Sequence, residues 1–314
     1  MKKFFNLVVL VSLVFSIFAC KSFDFIQAYT NPEYDDTEIV QGMLNSEASE
    51  IKIPKHDKGR PYIVRPLKLE NVQNKKIIFE PGVVILAKKG EFHGKGDFLF
   101  SIKNCKDIHL IGYGATFRMR KDDYRSAAYV KSEWRHGIHL ASNENTTIEG
   151  LKVESSGGDG VYVGYAESHI SCKNTKLLNL TLEDNHRQGI SVVAADGLLI
   201  EGCSIVGTRG TLPEAGIDFE PNEPSKEFAN CVVRNCSFRF NKGAGIQIYL
   251  KFAEPGKFPL SITFENCVSK NNGLAAFSVI EVPRNLEGTI RVIDCEFKGV
   301  QFIKAPKSLI ITDK

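Results

Sequence analysis

The feature of this sequence that most constrains its fold is a short unit that recurs after a glycine. The five copies are R-H-G-I-H-L-A, G-D-G-V-Y-V-G, R-Q-G-I-S-V-V, E-A-G-I-D-F-E and G-A-G-I-Q-I-Y, with glycines at positions 137, 160, 189, 216 and 245. Each glycine is followed by an apolar, a variable and a second apolar residue, which is the period-two pattern of a strand with one buried face. Recurrence at intervals of this length predicts coils stacked one on another, with one copy in each turn.

Cysteines and leucines mark a second strand in the same coils. Four units carry a cysteine at one equivalent place, and two earlier units carry a leucine there: Cys203, Cys236, Cys267 and Cys295, then Leu151 and Leu180. This spacing predicts a buried column of small apolar side chains. Because disulfide geometry is demanding and stacked side chains all point the same way, we expect these thiols to be free.

The remaining pattern favours one all-β domain. Asparagines occur where the coils should turn, and Asn tolerates left-handed backbone there: Asn145, Asn185, Asn241 and Asn271. Hairpin dipeptides, which would indicate antiparallel pairing, are scarce. The chain has 314 residues and 43% hydrophobic content, enough for one sizeable core. We therefore expect a parallel β-helix over residues 67–314.

Residues 1–19 have the pattern of a lipoprotein signal peptide. A basic start precedes an apolar run that is too short to span a bilayer. The segment Ile17-Phe18-Ala19-Cys20 resembles a bacterial lipobox, so we expect Cys20 to be lipidated. The protein would then be extracytoplasmic and anchored to a bacterial membrane. An ordinary signal peptide with a coincidental cysteine is the alternative.

Residues 20–66 read as a tether and an N-terminal cap. Asp35 is the expected N-cap of a short amphipathic helix that runs through Leu44, with Glu38 as its capping-box partner. Such a helix can cover the open end of a stacked sheet. Removal of residues 1–19 would lower the formal net charge from +3 to +1, and a near-neutral chain without a clustered basic surface is not expected to bind nucleic acid.

The repeat, the cap segment D-D-T-E-I-V-Q and the asparagine turns together resemble the right-handed β-helix family of pectin-lyase-like proteins. The resemblance extends over nearly the whole mature chain and implies a single-domain right-handed parallel β-helix with a short capping helix. It also implies action on carbohydrate, although that family includes lyases, glycosidases, epimerases, dehydratase-like enzymes and adhesins. Residues 185–193, N-H-R-Q-G-I-S-V-V, are similar to the N-x-R-x-G-x-x-V-V segment of mannuronan C5-epimerases. The D-P-H-E motif of those enzymes is replaced here by G-D-G-V-Y-V-G.

Chemistry-bearing side chains fall at the outward positions of the repeat. The first outward column reads His139, Tyr162, Ser191, Asp218 and Gln247, and the next includes Glu220 and Tyr249. A uronate substrate would need a cation on its carboxylate and a base on the adjacent carbon. We expect the catalytic residues to be His186, Arg187, Tyr162, His139 and Asp218, and the substrate-binding residues to be Glu220, Arg209, Gln247, Tyr249, Lys251 and Trp134. The simpler alternative is a solvated polar sheet face.

The leading hypothesis is therefore β-elimination on a uronate-containing poly- or oligosaccharide, by a lyase or a dehydratase. Asp218 and Glu220, two positions apart on one strand, would also suit an inverting glycosidase. The same pair could instead bind Ca²⁺ that bridges to a substrate carboxylate. C5-epimerisation and glycan binding without turnover stay open. We expect a monomer whose partners are an acidic glycan and, through Cys20, a membrane.

Overall fold

The structure is a computed structural model that describes residues 30–224 and 226–313. Within these residues the chain winds through three parallel sheets, here called sheets A, B and C, and visits them in that order in each coil. A strand pairs in parallel with the equivalent strands of the coils before and after it. The expected parallel β-helix is confirmed.

The strands of sheet A are Glu50–Ile53, Gln73–Phe79, Lys106–Ile111, Glu144–Glu149, Cys172–Lys173, Lys176–Leu178, Ala195–Asp196, Leu199–Glu201, Phe228–Arg234, Leu260–Glu265, Gly288–Ile293 and Leu309–Asp313. Those of sheet B are Tyr62–Val64, Val84–Ala87, Thr116–Arg118, Lys152–Glu154, Thr181–Glu183, Ser204–Val206, Ser237–Arg239, Val268–Lys270 and Glu296–Lys298. Those of sheet C are Leu67–Glu70, Phe100–Lys103, Ile138–Ala141, Val161–Gly164, Gln188–Val192, Ala215–Phe219, Ala244–Tyr249, Ala275–Ile280 and Gln301–Ile303. Helix α1 is Thr37–Leu44, and a 3-10 turn covers Asp123–Arg125.

The repeat glycines lie where consecutive coils approach most closely. A Cβ atom on Gly189 would lie 2.5 Å from the carbonyl oxygen of Gly216, and one on Gly216 would lie 2.5 Å from that of Gly245. The apolar residue after each glycine points into the coil and is fully buried: Ile138, Val161, Ile190, Ile217 and Ile246. The repeat thus combines a backbone contact that excludes any side chain with a core position that requires an apolar one.

The cysteine column is also confirmed, with Cys203, Cys236 and Cys267 buried and Cys295 half-buried at its end. The backbone N of Cys203 lies 3.4 Å from Sγ of Cys236, and that of Cys267 lies 3.4 Å from Sγ of Cys295. All four thiols are free. These cysteine side chains pack on one another at the same corner of successive coils.

The first coil begins earlier than the sequence suggested. Glu50–Ile53 already pairs with Gln73–Phe79, and Tyr62–Val64 with Val84–Ala87, so the ladder begins at residue 50 and not at 67. Short strands without a repeat glycine gave no sign of this. Helix α1 contacts the first strand of each sheet and covers the end of the coil.

The capping of helix α1 differs from the expected arrangement. Its N-cap is Asp36, and no side chain caps it. The Asp36 carboxylate instead accepts hydrogen bonds from Arg60 and from the backbone N of Ile63, which tie the helix to the first coil. Asp35 accepts a hydrogen bond from the backbone N of Thr37, 3.1 Å away. Hydrogen bonds between arginine and a carboxylate are charge-assisted and strong, so this contact holds the helix firmly against the first coil.

Two of the four expected asparagine turns have a different role. Asn145 and Asn271 adopt left-handed backbone, with φ of 54° and 58°. Asn185 and Asn241 are buried, and their Oδ1 atoms accept hydrogen bonds from the backbone N of Ser156 and Thr208 in the preceding coil. The predicted signal peptide and Cys20 lie outside the described residues. Among the described residues, no helix has both the length and the apolar character needed to cross a membrane.

Candidate active site

The outward column of sheet C has the predicted register. Tyr162 pairs with His139 and Ser191, Ser191 with Asp218, and Asp218 with Gln247. Ser191, Asp218 and Gln247 are nevertheless buried. Over these three coils the outward column is therefore shielded from solvent.

Asp218 is bound by two amide groups. Its Oδ2 accepts hydrogen bonds of 2.9 Å from Nε2 of Gln188 and from Nε2 of Gln247, and its Oδ1 has no partner among the described residues. Burial raises the pKa of Asp218 well above its usual value, and the nearby charge of Glu220 raises it further. The expected pairing of Asp218 and Glu220 as two solvent-facing acids is thus wrong for Asp218.

Arg187 is the centre of a group of carboxylates. Its Nη2 donates to Oε2 of Glu220 at 2.7 Å, its Nη1 lies 3.7 Å from Oδ1 of Asp159, and its Nε lies 3.9 Å from Oε2 of Glu133. Although burial opposes its charge, Asp159 and Glu220 raise the pKa of Arg187 above its ordinary value. We call Glu133, Asp159, Asp218 and Glu220, grouped around Arg187, the carboxylate cluster.

Asp159 is a member of the cluster that the sequence interpretation missed. Both of its carboxyl oxygens are buried without a hydrogen-bond partner among the described residues. Burial raises the pKa of Asp159 to about 7, against the lowering effect of Arg187. Its backbone N donates to Nδ1 of His136, 3.0 Å away. The sequence did contain a signal: His136, Asp159 and Gln188 occupy the position before the glycine, where the later copies have alanine.

Four aromatic rings stack beside the cluster, three of them on the coils that also carry Glu133 and Asp159. The Phe98 and His139 centroids are 3.9 Å apart, those of His139 and Tyr162 are 5.0 Å apart, and those of His136 and Tyr162 are 5.2 Å apart, all within 20° of parallel. Burial, and then the charge of Lys103, lower the pKa of His139 to about 4, and burial raises the pKa of Tyr162. Near neutral pH the site therefore contains an uncharged imidazole and a protonated phenol.

His186 and Arg187 are adjacent in sequence but face different surroundings. Nε2 of His186 lies 2.9 Å from Oγ1 of Thr211, and burial followed by the charges of Lys121 and Arg125 lowers the pKa of His186 to about 4. The ring lines a separate groove, which also contains the exposed Trp134. The structure thus brings Arg187 to the cluster and His186 to the groove beside it.

The other expected binding residues are scattered. Nε of Arg209 lies 3.4 Å from Oδ1 of Asp184, on the side of sheet B. Nζ of Lys251 lies 5.8 Å from the ring centroid of Phe252, beyond the end of its strand. Tyr249 follows Ile248, which pairs with Phe219, so it lies on the coil next to Glu220. Only Tyr249 of these three is near the cluster.

The Ca²⁺ alternative depended on Asp218 and Glu220. Oδ2 of Asp218 is engaged by two amides, and Glu220 is engaged by Arg187. Across residues 30–224 and 226–313, no three side chains of His, Cys, Asp or Glu are placed so that they could hold a metal ion.

Comparison with known proteins agrees with this geometry at the level of fold. Residues 126–281 match the family model for the right handed beta helix region. The protein is a right-handed parallel β-helix protein. A search of curated protein sequences gave no significant match.

Solved structures with a similar fold include two phage tailspikes. A tailspike of Acinetobacter baumannii bacteriophage Fri1, a capsular polysaccharide depolymerase, has a TM-score of 0.52 and 13% identity, over 90% of this chain and 55% of that one. The enzymatically active domain of tailspike protein 2 of bacteriophage CBA120 has a TM-score of 0.54 and 11% identity, over 89% of this chain and 44% of that one. The chain thus spans about half the length of each tailspike chain. The A-module of the Azotobacter vinelandii mannuronan C-5 epimerase gives 12% identity and a TM-score of 0.38, over 89% of this chain and 96% of that one.

Proposed function

We propose that this protein is a carbohydrate-active enzyme that hydrolyses glycosidic bonds by general acid–base catalysis at the carboxylate cluster. The observation that supports this most directly is the set of four carboxyl groups around one arginine. Carboxyl groups in different environments take different protonation states, which separates acid and base roles at a single pH. Here burial raises the pKa of Asp159 and Asp218, whereas Glu220 is the direct ion-pair partner of Arg187.

Solvent exposure assigns the roles within the cluster. The side chains of Glu133 and Glu220 are 38% and 22% exposed, whereas that of Asp159 is 1% exposed and Asp218 is fully buried. Glu133 and Glu220 can therefore contact a glycan directly. Asp159 and Asp218 act through Arg187 and the glutamine amides as positioning residues.

The reaction follows from these contacts. Glu220, which accepts a 2.7 Å hydrogen bond from Arg187, takes a proton from a water whose oxygen attacks the anomeric carbon. Glu133, which is farther from the arginine, gives a proton to the glycosidic oxygen as the carbon–oxygen bond breaks. The two fragments leave with the elements of one water added.

The neighbouring coils provide a surface for the sugar chain. A groove of about 480 Å³ lies along sheet C and is lined by Phe98, His139 and Tyr165 among others. Aromatic side chains are a common part of the lining of ligand-binding grooves. A glycan that follows the coil axis would cross these rings before it reaches the cluster. The similarity in fold to a capsular polysaccharide depolymerase is in keeping with an extended glycan substrate.

β-Elimination on a uronate is the second candidate, and one observation favours it. Nε of Arg187 is buried and has no hydrogen-bond partner among the described residues, so the guanidinium that would pair with a substrate carboxylate keeps one unused donor. His139 is uncharged near neutral pH and could take up the proton. Lyase, dehydratase and epimerase reactions all begin with that step. Hydrolysis is the better supported because carboxylates already surround Arg187. The lipid anchor at Cys20 and an extracytoplasmic location remain predictions.

Glu220→Gln tests the proposal. The substitution keeps the size of the side chain and removes its ability to take a proton, so turnover of the cleaved glycan should fall roughly 10²- to 10⁴-fold. The matched control is Glu201→Gln on sheet A, where Glu201 accepts a 2.8 Å hydrogen bond from Arg234; this variant should keep the wild-type rate.

Product analysis separates the two reactions. New reducing ends without ultraviolet absorbance indicate hydrolysis, and an unsaturated, ultraviolet-absorbing uronate indicates elimination. Wild-type turnover by the Glu220→Gln enzyme would rule out Glu220 as the base.

A further inference from the structure

A second groove lies beside the carboxylate cluster, at the corner between sheets B and C. Four connections from sheet B to sheet C form it, and they contribute Lys95, eight of the residues from Tyr124 to Trp134, His186, and Gly210 with Thr211. The groove has a volume of about 540 Å³. Glu133 lines it and also lies 3.9 Å from Arg187, so the groove opens onto the cluster.

Two buried polar atoms at this groove have no partner among the described residues. They are Oη of Tyr124 and Nδ1 of His186, and both residues are more than nine-tenths buried. A buried polar atom without a partner costs free energy, and a ligand or water usually supplies one. A Cβ atom on Gly210 would lie 2.0 Å from Nδ1 of His186, so a larger residue at this position would clash with the imidazole ring.

The charge and shape of the groove indicate what occupies it. Its cations are Lys95, Arg125 and Lys131, and its one acid is Glu133. Over the described residues Lys95 and Lys131 form no ion pair, and Arg125 makes only a 3.8 Å contact with the exposed Asp122. Trp134 is 53% exposed at the edge of the groove, as a flat surface for a ring. Cations beside an exposed indole suit an anionic ring compound.

We propose that this groove binds an anionic sugar residue of the glycan, carboxylated or sulfated, stacked on Trp134 and paired with Lys95 and Lys131. The inference rests on the proposed function and deepens it. Because the groove lies at the corner of the coil and not along sheet C, the residue it binds is a charged branch or neighbour of the sugar that reaches Glu220. The groove therefore selects acidic glycans, while the cluster performs the cleavage.

Trp134 itself reports on the occupancy of the groove, because it is the only tryptophan of the chain. Tryptophan emission of the full chain is titrated with a galacturonate trimer, a sulfated galactose trimer and the neutral galactose trimer. A saturable change with at least one anionic trimer, and none with the neutral one, is expected. The change should weaken at high salt, since the attraction is screened. No response to either anionic trimer, or an equal response to the neutral one, would overturn the proposal.

Variants of the cations identify the site. The double variant Lys95→Ala with Lys131→Ala should raise the dissociation constant about tenfold or more, because two charge-assisted contacts are lost. Both lysines are exposed, so folding should be retained. Lys176→Ala, an exposed lysine on sheet A, is the control and should bind as the wild type does. An unchanged dissociation constant in the double variant would also overturn the proposal.

Glu220→Gln separates this proposal from the proposed function. If both hold, that variant loses turnover and keeps the emission change at its wild-type dissociation constant. If only the proposed function fails, turnover survives in Glu220→Gln while the lysine variants still lose binding. If only the groove proposal fails, Glu220→Gln is inactive and the lysine variants bind as the wild type does.

Discussion

Two arginine–glutamate pairs of this β-helix have nearly the same geometry in different surroundings. On sheet A, Nη2 of Arg234 donates to Oε2 of Glu201 at 2.8 Å, and the side chains are 41% and 32% exposed. On the sheet C side, Nη2 of Arg187 donates to Oε2 of Glu220 at 2.7 Å, and the side chains are 14% and 22% exposed. In both pairs the partners are 33 residues apart, on neighbouring coils.

The difference lies in what else each arginine meets. Arg234 is a surface cation whose interactions water and salt screen. Arg187 is more than four-fifths enclosed and also faces Asp159, Asp218 and Glu133. Buried charges are poorly hydrated and must be stabilised by opposite charges nearby. The Arg187–Glu220 pair therefore organises a site, whereas the exposed Arg234–Glu201 pair does not. The contact distance alone would not have distinguished them.

The largest stability effect should come from the two arginines. Arg187→Met leaves Glu220 and Asp159 without their cation, and should lower the free energy of unfolding near neutral pH by about 3 to 5 kcal/mol. Arg234→Met should change it little, since its exposed partner is readily hydrated. Urea denaturation of both variants measures the difference. Equal losses would mean that the surroundings of the two pairs do not differ energetically.

Asp159 should make the stability depend on pH in an unusual direction. Burial raises its pKa from 3.8 to about 7, so over this interval the folded chain holds a proton that the unfolded chain has released. The stabilising contribution is complete below about pH 4 and is lost as the pH rises to about 7, with a slope of up to about 1.4 kcal/mol per pH unit.

Asp159→Asn, which cannot ionise, should not show this loss. The difference in free energy of unfolding between variant and wild type should therefore move in favour of the variant between about pH 4 and pH 7. Urea denaturation across this interval measures it. Parallel curves for the two proteins would mean that Asp159 is ionised in the folded chain.

Periodicity predicted the parts of the site that lie on strands. His139, Tyr162 and Asp218 follow the repeat glycines at a fixed interval, and their register was correct. That Asp218 is buried could not be read from its own strand, because Gln188 and Gln247 on the neighbouring coils engage it. Strand alternation predicts which face of the sheet a residue lies on. It does not predict which residues of neighbouring coils pack over that face, and these decide whether the residue is buried.

Two members of the carboxylate cluster that the sequence interpretation did not name, Glu133 and Asp159, lie on connections. Glu133 lies in an insertion without a period, and Asp159 precedes a glycine, where strand alternation assigns no outward face. His186 and Arg187 were expected to act together because they are adjacent in sequence. At the corner between sheets B and C their side chains point to different surroundings. The shape of this corner depends on the lengths of the connections around it, which a strand period does not give. Here those connections also form the groove.

Asp218→Asn should have a smaller effect than either Arg187→Met or Glu220→Gln. Burial raises the pKa of Asp218 well above its usual value, which favours the protonated form, and a protonated carboxyl has the shape of an amide. The asparagine oxygen can accept the same two hydrogen bonds from Gln188 and Gln247. We expect the free energy of unfolding to change by less than about 1 kcal/mol and turnover to fall by less than about tenfold, which is less than about 1.4 kcal/mol.

Asp218→Ala is the contrasting variant, and the two together decide the role of this residue. Alanine removes the acceptor of two buried amide groups, at a cost of about 1 to 3 kcal/mol for each group left unpaired. If Asp218 is a positioning residue, urea denaturation should give Asp218→Ala a much lower free energy of unfolding than Asp218→Asn. Turnover should also be lower in Asp218→Ala. If instead Asp218→Asn is as inactive as Glu220→Gln while it remains as stable as the wild type, the carboxyl of Asp218 reaches the reacting atoms. The acid pair would then be Asp218 with Glu220, as their spacing in the sequence first suggested, and Glu133 would serve only to bind substrate.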